Sequence, residues 1–251
     1  MHEYRTLGIS NIISGKKLEI SNITNYLNYI GRSDGRKNTF VAMSLTDFES
    51  QYKKEELAER WNRLSGVAVV QCISNTHFHS VFFTPGKMRE PIIGYDSRKV
   101  YSSERVDLSG EKCSQLNDKN KWTTQVNTER NQQSVELLVT FISRVAKTAD
   151  EIRRMSGSAL CNGGYIDRGW KILRSFVSQT DDKSCGVLAC LFLECMKNDI
   201  DVNGVKEDVS TESLQEYRWE IASKCCKYRI EDYYRRGGHT GIGGNIIDLI
   251  D

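Results

Sequence analysis

The chain is poor in the features that announce nucleic acid, metal or membrane. Its 251 residues carry 35 Lys and Arg against 33 Asp and Glu, a net charge of +2. That balance leaves no surplus of one sign to hold a phosphate backbone or an anionic lipid surface. No run of 18 apolar residues occurs, so no membrane span is expected. The start, Met1-His-Glu-Tyr-Arg, has no apolar core of a secretory leader. The eight cysteines are therefore expected as free thiols in a reducing compartment, and the chain as an intracellular one, cytoplasmic or nuclear, or delivered into a host cell. No Cys-x2-Cys pair exists. Cys185, Cys190 and Cys195 step by five and splay around a helix, and Cys225 and Cys226 are adjacent, so zinc spacing is missing and no metal or cofactor is expected. Proline is scarce, with Pro85 and Pro91 the two in the chain. The apolar fraction of 39% and mean hydropathy of −0.50 are low but globular, and the length suffices for one sizeable domain or a domain with an insertion.

What is present begins at Gln179-Thr-Asp-Asp-Lys-Ser-Cys185-Gly186, which runs into the apolar Val187-Leu-Ala-Cys-Leu-Phe-Leu193. A cysteine stands at the mouth of a helix, with a side-chain amide six residues upstream. The positive end of a helix dipole favours a thiolate there. An amide donor beside it can stabilise the oxyanion formed when a thiolate attacks a carbonyl. The plain alternative is a buried structural cysteine opening a core helix.

A nucleophilic cysteine needs a base and a group to orient the base. Thr76-His77-Phe78-His79-Ser80-Val81-Phe82-Phe83-Thr84 alternates, is rich in aromatic and β-branched residues, and reads as a strand. Pro85-Gly86 breaks it, a charged turn follows, and Ile92-Ile93-Gly94-Tyr95-Asp96-Ser97 reads as a second strand. Antiparallel pairing brings the histidine end of the first to the aspartate end of the second. A carboxylate placed there fixes the imidazole tautomer.

His-aromatic opening a strand, Tyr-Asp-Ser closing the next, and Gln-x5-Cys-Gly opening an apolar helix resemble the Ulp1-type cysteine proteases. These are proteases of ubiquitin-like modifiers, related to the adenovirus-type protease and to bacterial effector deubiquitinases. The order His, Asp, Gln, Cys is that family's order. Leu18-Glu-Ile-Ser-Asn-Ile-Thr-Asn-Tyr-Leu27 resembles its first helix, Phe40 to Trp61 its next segment, and Val67-Ala-Val-Val-Gln71 the strand before the histidine. The resemblance covers about residues 15 to 100 and 168 to 225. It implies an α+β fold, a small mixed β-sheet flanked by helices with the nucleophile at the N-terminus of a central helix. It implies Cys185 as nucleophile, Asp96 as orienter and Gln179 as oxyanion donor beside the Cys185 backbone N–H. His77 and His79 both compete for the base. They lie two apart and face one side of a strand. His77 is followed by an aromatic, as in the family, and lies 19 residues from Asp96; His79 lies 17 away, nearer the usual spacing, but is followed by Ser80. The aromatic neighbour favours His77.

The remaining chain divides unevenly. Residues 1–14 read as an N-terminal arm, 15–235 as the protease domain with an insertion at about 102–165, and 236–251 as a flexible Gly-rich tail. Helical spacing marks 18–30, 45–64, a stretch of about 20 residues from Val135, and 211–235. Trp170-Lys-Ile-Leu-Arg-Ser-Phe-Val reads as a strand leading into Gln179, and 102–131 as a polar loop. The tail carries Gly237-Gly238 and Gly243-Gly244. Substrates of the resembling family end in Gly-Gly, so a self-processing site is one reading and a glycine-rich loose end the plainer one. The resemblance implies cleavage after Gly-Gly in ubiquitin or a SUMO-type or NEDD8-type modifier, with that modifier and its conjugates as partners. Two other classes stay open: an effector acetyltransferase on the same fold, against which Asp96 speaks because those effectors usually carry glutamate, and a non-catalytic module that binds a ubiquitin-like protein.

Overall fold

The computed structural model describes residues 9–32, 40–73, 77–87, 90–98, 129–158, 164–165, 169–173, 176–177, 179, 181–200, 202 and 210–235. The expected polar loop as far as residue 128 and the Gly-rich tail lie outside these residues, while 129–131, read as the end of that loop, are helical.

Five strands make one mixed sheet in sequence order: β1 (Phe40–Ser44), β2 (Gly66–Ile73), β3 (His77–Phe83), β4 (Ile92–Asp96) and β5 (Trp170–Ile172). The outer pairs, β1 with β2 and β4 with β5, are parallel; β2–β3–β4 is an antiparallel meander. The centre of the sheet is covered on both faces. Gly66 to Val70 are all buried, so β2 reads as a continuous apolar run and not as an alternating one. Val67 and Val69 join one core, while Ala68 and Val70 join the other.

The first core lies under α2 (Ile20–Arg32), α6 (Cys185–Lys197) and α7 (Thr211–Arg235). The second lies under α3 (Leu45–Glu49), α4 (Gln51–Ala58) and the long α5 (Glu129–Met155). Helix α5 buries Leu138, Phe141, Ile142, Val145, Ala146, Ala149 and Ile152, the three-and-four spacing of one helical stripe. It presses so closely on β4 that a Cβ at Gly94 would stand 2.7 Å from Ile142 Cδ1.

Four local readings differ from the structure. The single helix expected over 45–64 is α3, then α4, then a 3-10 turn at Trp61–Arg63. Ser50 breaks it: its backbone is extended and its hydroxyl accepts from Lys53 N–H, so it caps a new helix instead of continuing the old one. Strand β1 arises where none was read. Among the described residues of the strand expected over 170–177, Trp170–Ile172 are strand. Within the expected arm, Ile9–Ile13 forms the short helix α1, whose Ile12 is fully buried and whose carbonyls at Ile12 and Ile13 receive Arg218 and Gln215 of α7.

Candidate active site

Helix α6 begins at Cys185 and is the most apolar helix of the first core, burying Val187, Leu188, Ala189, Cys190, Phe192 and Leu193. Burying each large side chain contributes about 1.5–3 kcal/mol, which fixes the helix under the sheet. Its far end is tied to α2 and α7 through Glu194, which accepts from Tyr26 Oη and Tyr217 Oη at 2.6 Å each and from Lys224 Nζ. Against burial, these three bonds hold the Glu194 carboxyl below its ordinary value. The near end needs glycine. A Cβ at Gly186 would stand 3.0 Å from Leu18 Cβ and 3.2 Å from Phe78 Cε2, so its absence lets the helix start settle against β3.

The turn that delivers Cys185 is organised by Asp181. Its carboxylate accepts from Lys183 N–H at 2.8 Å, Ser184 N–H at 2.7 Å and Ser184 Oγ–H at 2.7 Å. Ser184 is the N-cap of α6, yet its hydroxyl serves Asp181 and makes no cap bond. The buried Arg218 of α7 donates to the carbonyls of Lys16 at 2.7 Å and Lys183 at 3.4 Å, stapling this turn to the N-terminal segment.

At the end of the sheet, the register sets His79 directly opposite Asp96, with His77 two residues further out. Both imidazoles reach the one carboxylate. His77 Nε2 lies 2.6 Å from Asp96 Oδ1, and His79 Nε2 lies 2.9 Å from Asp96 Oδ2. The rings meet edge to face with centroids 5.3 Å apart. Arg98 completes the shell, giving its backbone N–H to Oδ1 at 2.9 Å and Nη2 to Oδ2 at 3.1 Å. Three buried titratable groups thus share one small volume.

Their environments push them apart. Burial raises Asp96, but the hydrogen bonds from His77 and His79 and the charges of both imidazoles outweigh it and hold the carboxyl well below its usual range. Burial lowers His77, but hydrogen bonds with Asp96 and with Cys185, and the Asp96 charge, carry it above the ordinary histidine value. His79 falls below that value: burial dominates, His77 and Arg98 add positive charge, and the Asp96 contact does not compensate. The His79 Nδ1 is buried and has no hydrogen-bond partner among the described residues. His77 is therefore the more readily protonated of the two imidazoles and His79 the less.

Each residue of Tyr95-Asp96-Ser97 touches a different part of the site. Tyr95 Oη donates to Val177 O at 2.6 Å, and its ring stacks on Phe192 of α6 at 5.0 Å. Asp96 holds the histidines. Ser97 Oγ donates to Gln179 Oε1 at 2.7 Å, and Ser97 O accepts Gln179 N–H at 2.7 Å. Asp96 is bonded to His77, Gln179 is bound to the residue next to Asp96, and Cys185, 89 residues from Asp96 in sequence, is among the groups that raise His77. Cys190, Cys195 and Cys225 sit in the core instead, where burial pushes their thiols up, Cys225 to about 12.

His77, His79 and Asp96 are also metal-ligand types with their ligand atoms within 4.8 Å of one another. Here those atoms bond each other, and the Arg98 guanidinium lies 3.1 Å from Asp96 Oδ2 and 3.4 Å from His79 Nε2. A cation seated among them would face a fixed positive charge at close range, so the donor set suits proton chemistry better. Sequence reasoning passed over Arg98, Asp181 and Arg218, and took Ser97 only as the end of the Tyr-Asp-Ser motif, without its contact to Gln179. Of the three passed over, Asp181 carried a signal, the Asp-x-x-Ser pattern of a side chain that accepts from the turn following it.

No family model and no curated protein matches the sequence. Solved structures do. The C-terminal Ulp1 protease domain in complex with Smt3, the yeast ortholog of SUMO, matches with a TM-score of 0.53 and 13% identity, over 86% of this chain and 80% of that one. The SUMO protease Ulp1 with its catalytic cysteine oxidised to a sulfinic acid matches with a TM-score of 0.52 and 12% identity, over 88% of this chain and 82% of that one. These neighbours are cysteine proteases, and at such identity the likeness is one of fold. The chain has an α+β, Ulp1-like fold: a mixed five-stranded sheet between helices, with Cys185 opening the helix at the centre of its first core.

Proposed function

We propose that this protein is a thiol peptidase that cleaves after the terminal Gly-Gly of a ubiquitin-like modifier, maturing a precursor or releasing an isopeptide-linked conjugate. The observation that carries the reading is the buried pair of His77 Nε2 and Asp96 Oδ1 at 2.6 Å, together with Cys185 at the start of α6, whose interaction with His77 helps raise that imidazole. With Nε2–H given to Asp96, the neutral ring keeps its Nδ1 lone pair for the thiol proton. His77 takes that proton as sulfur attacks the glycine carbonyl. The S–C bond forms, and the oxyanion is met by Gln179 Nε2–H and the Cys185 backbone N–H. The C–N bond then breaks, and the imidazolium hands its proton to the leaving amine. Water, deprotonated by the same ring, releases the modifier's carboxylate and restores the thiol.

In this reading His79 is the neutral neighbour that holds the second carboxylate oxygen, so Asp96 stays aimed at His77. Burial supports the substrate class. Cys185 is 2% exposed and His77 6%, so the carbonyl has to arrive on a chain thin enough to reach them, as consecutive glycines are. A SUMO-type modifier is the first candidate, because the solved Ulp1 domain of like fold was captured with Smt3.

A panel of modifiers bearing a C-terminal vinyl methyl ester tests this: SUMO, NEDD8 and ubiquitin types, each with wild type and Cys185→Ala. The expected result is a covalent adduct of the SUMO-type probe on Cys185 of the wild type. An adduct with another modifier moves the specificity and keeps the chemistry. Binding without an adduct makes the protein a non-catalytic module. An acetyl group on the protein after incubation with acetyl-CoA, with no adduct from any probe, makes it a transferase.

A further inference from the structure

Gln179 has no helix or strand to hold it. It precedes α6, and among the described residues its hydrogen bonds are to Ser97. Ser97 is 1% exposed and follows Asp96 at the exit of β4. It grips Gln179 twice, main chain to main chain and hydroxyl to side-chain carbonyl, both at 2.7 Å. An amide has an oxygen at one end and two N–H groups at the other. Fixing the oxygen on a hydroxyl proton leaves the N–H groups at the opposite end. Turned over, the amide would aim its oxygen where the N–H groups had pointed, and an oxygen near a developing oxyanion disfavours it.

We propose that Ser97 is a positioning residue for the oxyanion donor: its hydroxyl holds Gln179 Oε1 so that Nε2 presents its protons to the tetrahedral intermediate. This rests on the peptidase reading above. Tyr-Asp-Ser then acts through three consecutive residues, packing α6, orienting the base and orienting the amide. Because the donor works mainly in the transition state, losing its orientation lowers kcat and leaves KM nearly unchanged.

The experiment is a cycle of Ser97→Ala, Gln179→Ala and the double variant, with Ser97→Thr as the hydroxyl-keeping control. Each is assayed with a fluorogenic SUMO-type Gly-Gly amide well below its melting temperature. Removing one donor of this kind costs about 10²–10³ in kcat. Gln179→Ala should show that loss. Ser97→Ala should show at least about a tenfold share of it with KM within about twofold, Ser97→Thr should recover most of it, and Ser97→Ala should add nothing once Gln179 is alanine. Full kcat in Ser97→Ala, or an equal fall in both backgrounds, overturns the proposal. So does a Ser97→Thr variant that folds yet is as slow as alanine. Wild type turning over the amide through Cys185 while Ser97→Ala is unaffected removes this inference alone. Absence of any Cys185-dependent turnover removes the peptidase reading, and this inference with it.

Discussion

Exchanging the two histidines for alanine, one at a time, should damage different properties. His77→Ala deletes the group that takes the thiol proton and returns it to the leaving amine. General acid–base catalysis contributes about 10²–10⁴, so kcat/KM should fall by that factor, about 2.7–5.4 kcal/mol of transition-state stabilisation. His79→Ala deletes a fully buried ring whose Nε2 bonds a carboxylate at 2.9 Å. A hydrogen bond to a charged group is worth about 1.5–3 kcal/mol, and the cavity adds to that. At about 2–4 °C per kcal/mol for a chain of this size, the lost hydrogen bond alone should lower the melting temperature by about 3–12 °C, and the cavity lowers it further. Activity should suffer less than tenfold, because Arg98 still grips both carboxylate oxygens of Asp96 after His79 is gone. Steady-state kinetics on a fluorogenic modifier amide and differential scanning calorimetry on the same preparations separate the two. A His79→Ala protein that is stable but inactive, beside an active His77→Ala protein, would refute the assignment. Equal mild losses in both would refute the shared-carboxylate argument itself.

Two further outcomes follow from the same geometry. In NMR titrations of the imidazole Cε1–H, His77 should titrate above His79, and Asp96→Asn should bring His77 down, since both its hydrogen bond and the carboxylate charge are lost. Because His77 is raised, its contribution to stability is full below about 6.5 and is lost as pH climbs through its folded value; the reverse order of the two histidines would contradict the account. Gly186→Ala should cost about 1–3 kcal/mol in urea unfolding and slow turnover, because the added methyl pushes the start of α6 off Phe78, the residue beside His77; an unchanged midpoint and rate would show that this close approach is not needed.

The strands that carry the histidines and Asp96 were legible because alternation, the Pro85-Gly86 break and the antiparallel rule are local signals. So was the start of α6, where polarity gives way abruptly to an apolar run at Cys185. The 17-residue spacing favoured His79 as the partner of Asp96, and the aromatic after His77 pointed the other way; the structure puts both on the carboxylate. That could not be read from spacing, because Asp96 has two oxygens and reach depends on twist at the strand end. Strand β1 and the brevity of β5 depend on which neighbour supplies hydrogen bonds, a property of the sheet and not of the segment. The break at Ser50 turned on one hydroxyl that could cap as well as continue. Ser97 was legible as the end of Tyr-Asp-Ser but not its bond to Gln179, 82 residues away, while Arg98 and Arg218 stand in no motif.

The most direct test of the central claim is intact-mass analysis after incubation with a SUMO-type modifier carrying a C-terminal vinyl methyl ester, followed by peptide mapping. The account predicts one adduct per chain, located on Cys185, lost in Cys185→Ala and strongly slowed in His77→Ala, with Cys190, Cys195 and Cys225 unmodified. An adduct on one of those core cysteines, or one that persists in Cys185→Ala, would contradict it.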